Sequence, residues 1–214
     1  MKWRALLAAA ILLLAYFYLI LSSKAWQAEI SWLADLRWNW LGKSFASLLS
    51  LMVIAVVPGM TLRESGVVLR QNAGSVRPAL ICLLLICAWC WLCEALFANG
   101  TDTATERLVF QALMPGIDEE LFFRSILLAL LMRALRDRWT LLGARVGPAA
   151  AISLFIFSAG HALTLDQGGF AFDPLVFTYA AGAGAGLTWM RLRTGSILLP
   201  VLAHNLANLG ESFF

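Results

Sequence analysis

Apolar positions run along this chain in blocks rather than in stripes. Seven blocks can be drawn, at residues 5–22, 44–60, 78–98, 117–135, 148–164, 170–190 and 195–211. Several approach the ~20 residues that a helix needs to cross a bilayer. The second, fifth and seventh are short or polar at one end. Before the fourth, TERLVFQALMPG at 105–116 reads as a short interfacial helix closed by Pro115-Gly116. No period marks a repeat array, and no low-complexity linker interrupts the pattern. The pattern predicts an all-α, polytopic transmembrane bundle of about seven spans. It divides into N-terminal transmembrane helices with a cytoplasmic loop over 1–77 and a helical core over 78–214.

Composition agrees with that class. The chain is 61% hydrophobic and 14% charged, against the ~25% charged residues of soluble domains. A soluble enzyme and a nucleic-acid binder are both excluded as first readings. The opening MKWRALLAAAILLLAYFYLILSS has the basic start of a signal peptide, and Ser23-Lys24-Ala25 weakly resembles a cleavage site. Its apolar run exceeds the roughly 7–15 residues of such segments, so a retained anchor is expected.

Lys and Arg set the orientation. With seven spans and the N-terminus inside, eleven of the sixteen fall on inner segments and four on outer ones, with Arg124 inside a span. The bundle is expected N-in and C-out. The four cysteines all lie in the third block, and three of them, Cys87, Cys90 and Cys93, share one helical face. They read as small apolar filler.

Ionisable groups inside a membrane are functional hypotheses by default, because their burial is costly unless they are paired or hydrated. Here they are Glu119, Glu120 and Arg124 in span four and His161 in span five. Span seven adds His204, Asn205 and Asn208, while Glu94 and Asp173 lie nearer span ends. Glu120 and Arg124, at i and i+4, share a face and can neutralise each other. Glu119 projects elsewhere and lacks that partner. His204 and Asn208 share a face by the same spacing, and Asn205 points away from them. At ~1.5 Å per residue, Glu119, His161 and Asn208 each come to roughly 20 Å above the inner end of their spans. One polar pocket in the outer half of the bilayer is therefore expected.

A carboxylate, two imidazoles and an amide in a dry pocket point to hydrolysis. The carboxylate can act as general base towards a water, and His and Asn can donate to a developing oxyanion. Ser158 precedes His161 by three, but serine in a membrane helix commonly bonds its own backbone, so it is not read as a nucleophile.

Glu119-Glu120-x-x-x-Arg124, then Phe157-x-x-x-His161, then His204-x-x-x-Asn208, in that order on separate apolar blocks, resemble the CPBP family. These are the CAAX prenyl protease 2 and bacteriocin-processing (Abi) membrane proteins. The resemblance covers about residues 78–211 and makes 78–214 a CPBP-like intramembrane protease core. It implies a glutamate-type intramembrane endopeptidase that needs no cofactor. Glu119 then resembles the general base, His161 its partner in holding water, and His204 with Asn208 the oxyanion-stabilising pair. Glu120 and Arg124 look supportive, and Phe157 is read as pocket packing. The substrate would be a membrane-associated or exported protein or peptide, and the setting a bacterial inner membrane.

Three other readings stand beside it. Glu119, His161 and His204 can serve as a zinc ligand set, although no HExxH is present. A non-catalytic scaffold or immunity protein would use the same residues as interhelical glue. A proton relay or small transporter would use Glu and His within the membrane. In span six, Gly182, Gly184 and Gly186 read as close helix packing, with a loosened path for substrate as the alternative.

Overall fold

The computed structural model describes residues 2–97, 100–136, 138–166 and 169–214. It is mostly helical, with α1 (Lys2–Ala28), α2 (Trp40–Val56), the single turn α3 (Leu62–Ser65), α4 (Val76–Phe97), α5 (Thr105–Glu119), α6 (Leu128–Ala134), α7 (Pro148–Ala162), α8 (Pro174–Thr194) and α9 (Leu198–Glu211). Two short antiparallel hairpins flank α7. One pairs β1 (Trp139–Leu141) with β2 (Ala144–Val146), and the other pairs β3 (Leu163–Asp166) with β4 (Gly169–Phe172). Block periodicity gave no sign of either hairpin. Every apolar block overlaps a helix; residue 98, the last of the third block, lies outside the described residues.

α1 and α4 are long and apolar enough to cross a membrane, while α2 and α7 are shorter apolar helices. α1 turns Ile11, Leu14 and Leu21 outward, and α4 does the same with Ile81, Leu84 and Leu85. Such a contiguous apolar exterior suits a hydrocarbon surround rather than water.

The interior combines apolar packing with buried polar and charged side chains. Between α5 and α6 the helix widens into a π-helical segment, Glu120–Leu127, and every one of its residues is buried. Phe122, Phe123, Ile126 and Leu127 pack there against Tyr16 of α1, Ala46 and Val53 of α2 and Phe157 of α7. A second cluster joins Ala79, Leu83, Ile86, Cys87 and Cys90 of α4 to Leu187 and Met190 of α8 and to Ala203 and Ala207 of α9. The cysteines are free thiols, and the two buried ones belong to this apolar packing.

Small residues on α8 permit close approach. A Cβ at Gly182 would meet Trp89 at 2.6 Å, and one at Gly186 would meet Ile86 at 2.8 Å, both on α4. One at Gly184 would meet Leu154 and Phe157 of α7 at 2.9 Å. The three glycines are therefore packing positions between α8 and its neighbours.

The expected break at Pro115-Gly116 does not occur, because α5 runs through Pro115 and continues into the π segment. Proline normally breaks a helix because it lacks an N–H and crowds the preceding turn. Here Asn205 of α9 compensates. Its Oδ1 accepts the Gly116 N–H at 2.7 Å, and its Nδ2 donates to the Leu113 carbonyl at 3.3 Å. Gly116 has room for this only because it lacks a Cβ, which would meet Asn205 Oδ1 and the Val201 carbonyl.

The widened turn is stapled in the same way. Ser153 Oγ donates to the Phe123 carbonyl at 3.0 Å, and Arg191 Nε donates to the Arg124 carbonyl at 3.2 Å. Carbonyls displaced from regular α-helical bonding thus find donors on α7 and α8, as a membrane interior requires.

Candidate active site

The centre of the bundle gathers residues from α1, α2, α5, the π segment, α7 and α9. Glu119 is the last residue of α5 and Glu120 the first of the π segment, so the adjacent acids leave the axis in different directions.

Glu120 is fully buried. Its Oε1 accepts from Arg124 Nη1 at 3.1 Å and lies 2.9 Å from His204 Nδ1. Arg124 also sits over the Phe157 ring at 3.8 Å and donates to the Gly184 carbonyl at 3.4 Å. The within-helix pair read from the i, i+4 spacing is therefore present, with His204 as a third member.

Glu119 is not the unpaired acid that its own helix implied. Its Oε1 accepts from Lys43 Nζ of α2 at 2.6 Å. The same ammonium lies 2.9 Å from Asp118 Oδ2, which also accepts the Tyr16 hydroxyl of α1 at 2.9 Å. The other oxygen, Glu119 Oε2, is buried without a hydrogen-bond partner. It lies 3.5 Å from His161 Nε2 and 3.8 Å from His204 Nε2.

The imidazoles are oriented from behind. A carbonyl or carboxylate oxygen can only accept, so the nitrogen facing it carries the hydrogen. His161 Nδ1 meets the Phe157 carbonyl at 2.9 Å, and His204 Nδ1 meets Glu120 Oε1. In the neutral rings both Nε2 atoms therefore point bare lone pairs at the lone pairs of Glu119 Oε2. Three acceptors converging without a donor define a place for a molecule that brings its own hydrogens. Among the described residues no three His, Cys, Asp or Glu side chains close to metal-holding spacing.

A cavity of about 140 Å³ opens beside this point, lined by His161, His204, Asn208, Phe157, Tyr179 and Glu211 among others. Its apolar walls come from Ile86, Ala183 and Leu187. Asn208 donates to Gln111 Oε1 at 3.3 Å and borders the cavity. Asn205, the neighbouring amide, serves the backbone of α5 instead. Ser158 Oγ donates to the Leu154 carbonyl at 2.9 Å, one turn back in its own helix. Asp173 caps α8 through the Leu175 and Val176 N–H groups.

Six sequence-selected residues, Glu119, Glu120, Arg124, His161, His204 and Asn208, thus surround one spot or support it. Lys43, Asp118 and Tyr16 escaped that selection. Lys43 sits one position before the second apolar block and counts only among the outer-segment basic residues. The available signal was a third acid, Asp118, that had no intrahelical base.

The family model described as type II CAAX prenyl endopeptidase, Rce1-like, matches residues 102–210, about half of the chain. That segment holds all six residues and excludes Lys43 and Tyr16. No curated protein and no solved structure gave a match.

Proposed function

Taking as premise that the chain belongs to the Rce1-like family of type II CAAX prenyl endopeptidases, and so is a membrane-embedded peptidase, we propose a glutamate-type mechanism centred on Glu119. A water donates one hydrogen to Glu119 Oε2 and one to His161 Nε2. Its oxygen attacks the scissile carbonyl carbon as Glu119 takes the first proton. The carbonyl oxygen gains the negative charge and is met by Asn208 Nδ2 and by Nε2–H of His204 in its imidazolium form. The Glu119 proton then passes to the leaving amine, and the carbon–nitrogen bond breaks.

Charge balance supports this division of work. Asp118, Glu119 and Glu120 face Lys43 and Arg124, which leaves one negative charge in excess. One proton on His204, between Glu119 and Glu120, neutralises the set. Glu120 then steadies the imidazolium through Nδ1, and Arg124 steadies Glu120.

The single observation that carries the reading is the buried Glu119 Oε2, which has no hydrogen-bond partner and faces Nε2 of both His161 and His204. Zinc on Glu119, His161 and His204 is the second reading, because both Nδ1 atoms have the oxygen partners that orient metal-bound histidines.

In this reading the seven apolar blocks cross a bacterial inner membrane, N-in and C-out. Residues 78–214 form the protease core, and the outward-lying pocket takes a membrane-associated or exported peptide. The test uses purified protein in detergent, with a fluorogenic farnesylated peptide bearing a CAAX-type tail and its unprenylated twin. Wild type should cleave at least one. E119Q should cleave neither while denaturing at the wild-type temperature. Near-normal turnover by E119Q would remove Glu119 as the base.

A further inference from the structure

Lys43 lies outside the segment that identifies the family, and its charge is more than packing on α2 needs. We propose that Lys43 is a positioning residue of the reaction, clamped by Asp118 and Tyr16 so that it fixes the plane of the Glu119 carboxylate and aims Oε2 at the water. This rests on the peptidase reading above and deepens it.

A glutamate carboxylate turns about three bonds. At Glu119 one oxygen is bonded to Lys43 and the other has no bond within the protein. Without Lys43 nothing described here would hold the carboxylate in one orientation.

A lysine ammonium is itself a loose tether, a compact charge on a flexible four-carbon stem. Its second contact removes that freedom, because Asp118 Oδ2 holds Nζ at 2.9 Å. Asp118 is fixed in turn by the Tyr16 hydroxyl at 2.9 Å. The Tyr16 ring stacks on Phe122 with centroids 4.0 Å apart and meets Phe123 edge-on at 5.4 Å. A rigid series therefore runs from an aromatic stack in the core, through Asp118 and Lys43, to Glu119 Oε1.

Sharing matters as well as geometry. A lysine paired with Glu119 alone would cancel the charge that the base needs. Asp118 takes part of the ammonium's attraction, so Glu119 is held without being neutralised. On this view α1 and α2 complete the active site, since Tyr16 and Lys43 come from them.

The experiment compares wild type, K43M, K43M/D118N and K43R on the same fluorogenic peptides. Cleavage by wild type and its loss in E119Q test the reaction itself, while the Lys43 question is a ratio between enzymes. K43M should lose both stability and kcat, because two acids lose their cation. K43M/D118N has the wild-type charge balance and should regain the wild-type denaturation temperature. Its kcat should nonetheless stay at least ~10-fold low with KM unchanged, since about 1 Å of misplacement costs on the order of 100-fold. K43R keeps the charge but replaces the compact ammonium with a planar fork, and its kcat should fall similarly without loss of stability. Wild-type kcat in K43M/D118N would reduce Lys43 to a charge balance and overturn the proposal. Wild-type kcat in K43R would overturn it equally, and that variant decides the matter if the double variant does not fold.

Discussion

Glu120 and His204 stand 84 residues apart in sequence and meet at 2.9 Å in a part of the core where Glu120 has no exposed surface. The same Glu120 oxygen holds Arg124, so one carboxylate supports two basic side chains.

The E120Q variant should therefore be hurt in stability as well as in turnover. Losing the charge leaves Arg124 buried and unpaired, and breaking such a pair costs about 3–5 kcal/mol. Denaturation in detergent should show a lowered midpoint for E120Q and none of comparable size for E119Q. Equal midpoints for the two variants would contradict the separate roles of the adjacent acids.

Asn205 yields a second expectation, because its amide bonds the Gly116 N–H and the Leu113 carbonyl on either side of Pro115. N205A leaves the Gly116 N–H buried without an acceptor, at a cost of about 1–3 kcal/mol. It should also lower kcat, since Glu119 lies one turn beyond the proline. Unfolding midpoints and turnover measured together would test this. An N205A protein with both unchanged would mean that water or relaxation satisfies the freed group.

These two cases mark what the sequence could and could not yield. The Glu120–Arg124 pair was legible because both partners lie in one helix and spacing alone brings them together. The Ser158 back-bond was legible for the same local reason, and the α8 glycines because residues without a side chain mark close helix packing whatever the neighbour. The continuity of α5 through Pro115 was not, because the compensating amide comes from α9. The π segment was hidden too, since its displaced carbonyls are answered by Ser153 and Arg191 from other helices. Lys43 was hidden most deeply. Nothing close to it in sequence is acidic, and it counts only as one of the four basic residues on outer segments.

Asn208 separates the two chemistries. If hydrogen bonds hold the oxyanion, N208A should lose about 100- to 1000-fold in rate. If zinc on Glu119, His161 and His204 polarises the carbonyl, the loss should be far smaller. Exhaustive chelation gives an independent reading, and the purified enzyme should keep its activity and contain no stoichiometric zinc. Activity that vanishes with the chelator and returns with added zinc would convert the two histidines into ligands.

Topology can be checked without a substrate. Reporter fusions after Arg136 should be cytoplasmic and those after Phe214 external. The purified protein should retain Lys2–Ala28, because Ser23 and Gln27 are buried in bonds to Asn39, Leu36 and Trp38 of the following loop. A C-terminus found inside would reverse the outward-lying pocket. A protein beginning near residue 26 would mean that α1 had been cut away with Tyr16.

The Lys43–Glu119 pair spans 76 residues of chain, and that separation has a consequence for synthesis. At about 5–20 residues per second, several seconds pass between the two emerging from the ribosome. During that interval α2 carries an ammonium whose acids do not yet exist. Lys43 stands in its first turn, where a long side chain can reach the headgroups rather than sink into hydrocarbon. Its descent into the core must then wait for α5, while the pairing of Glu120 with His204 waits for a still later part of the chain.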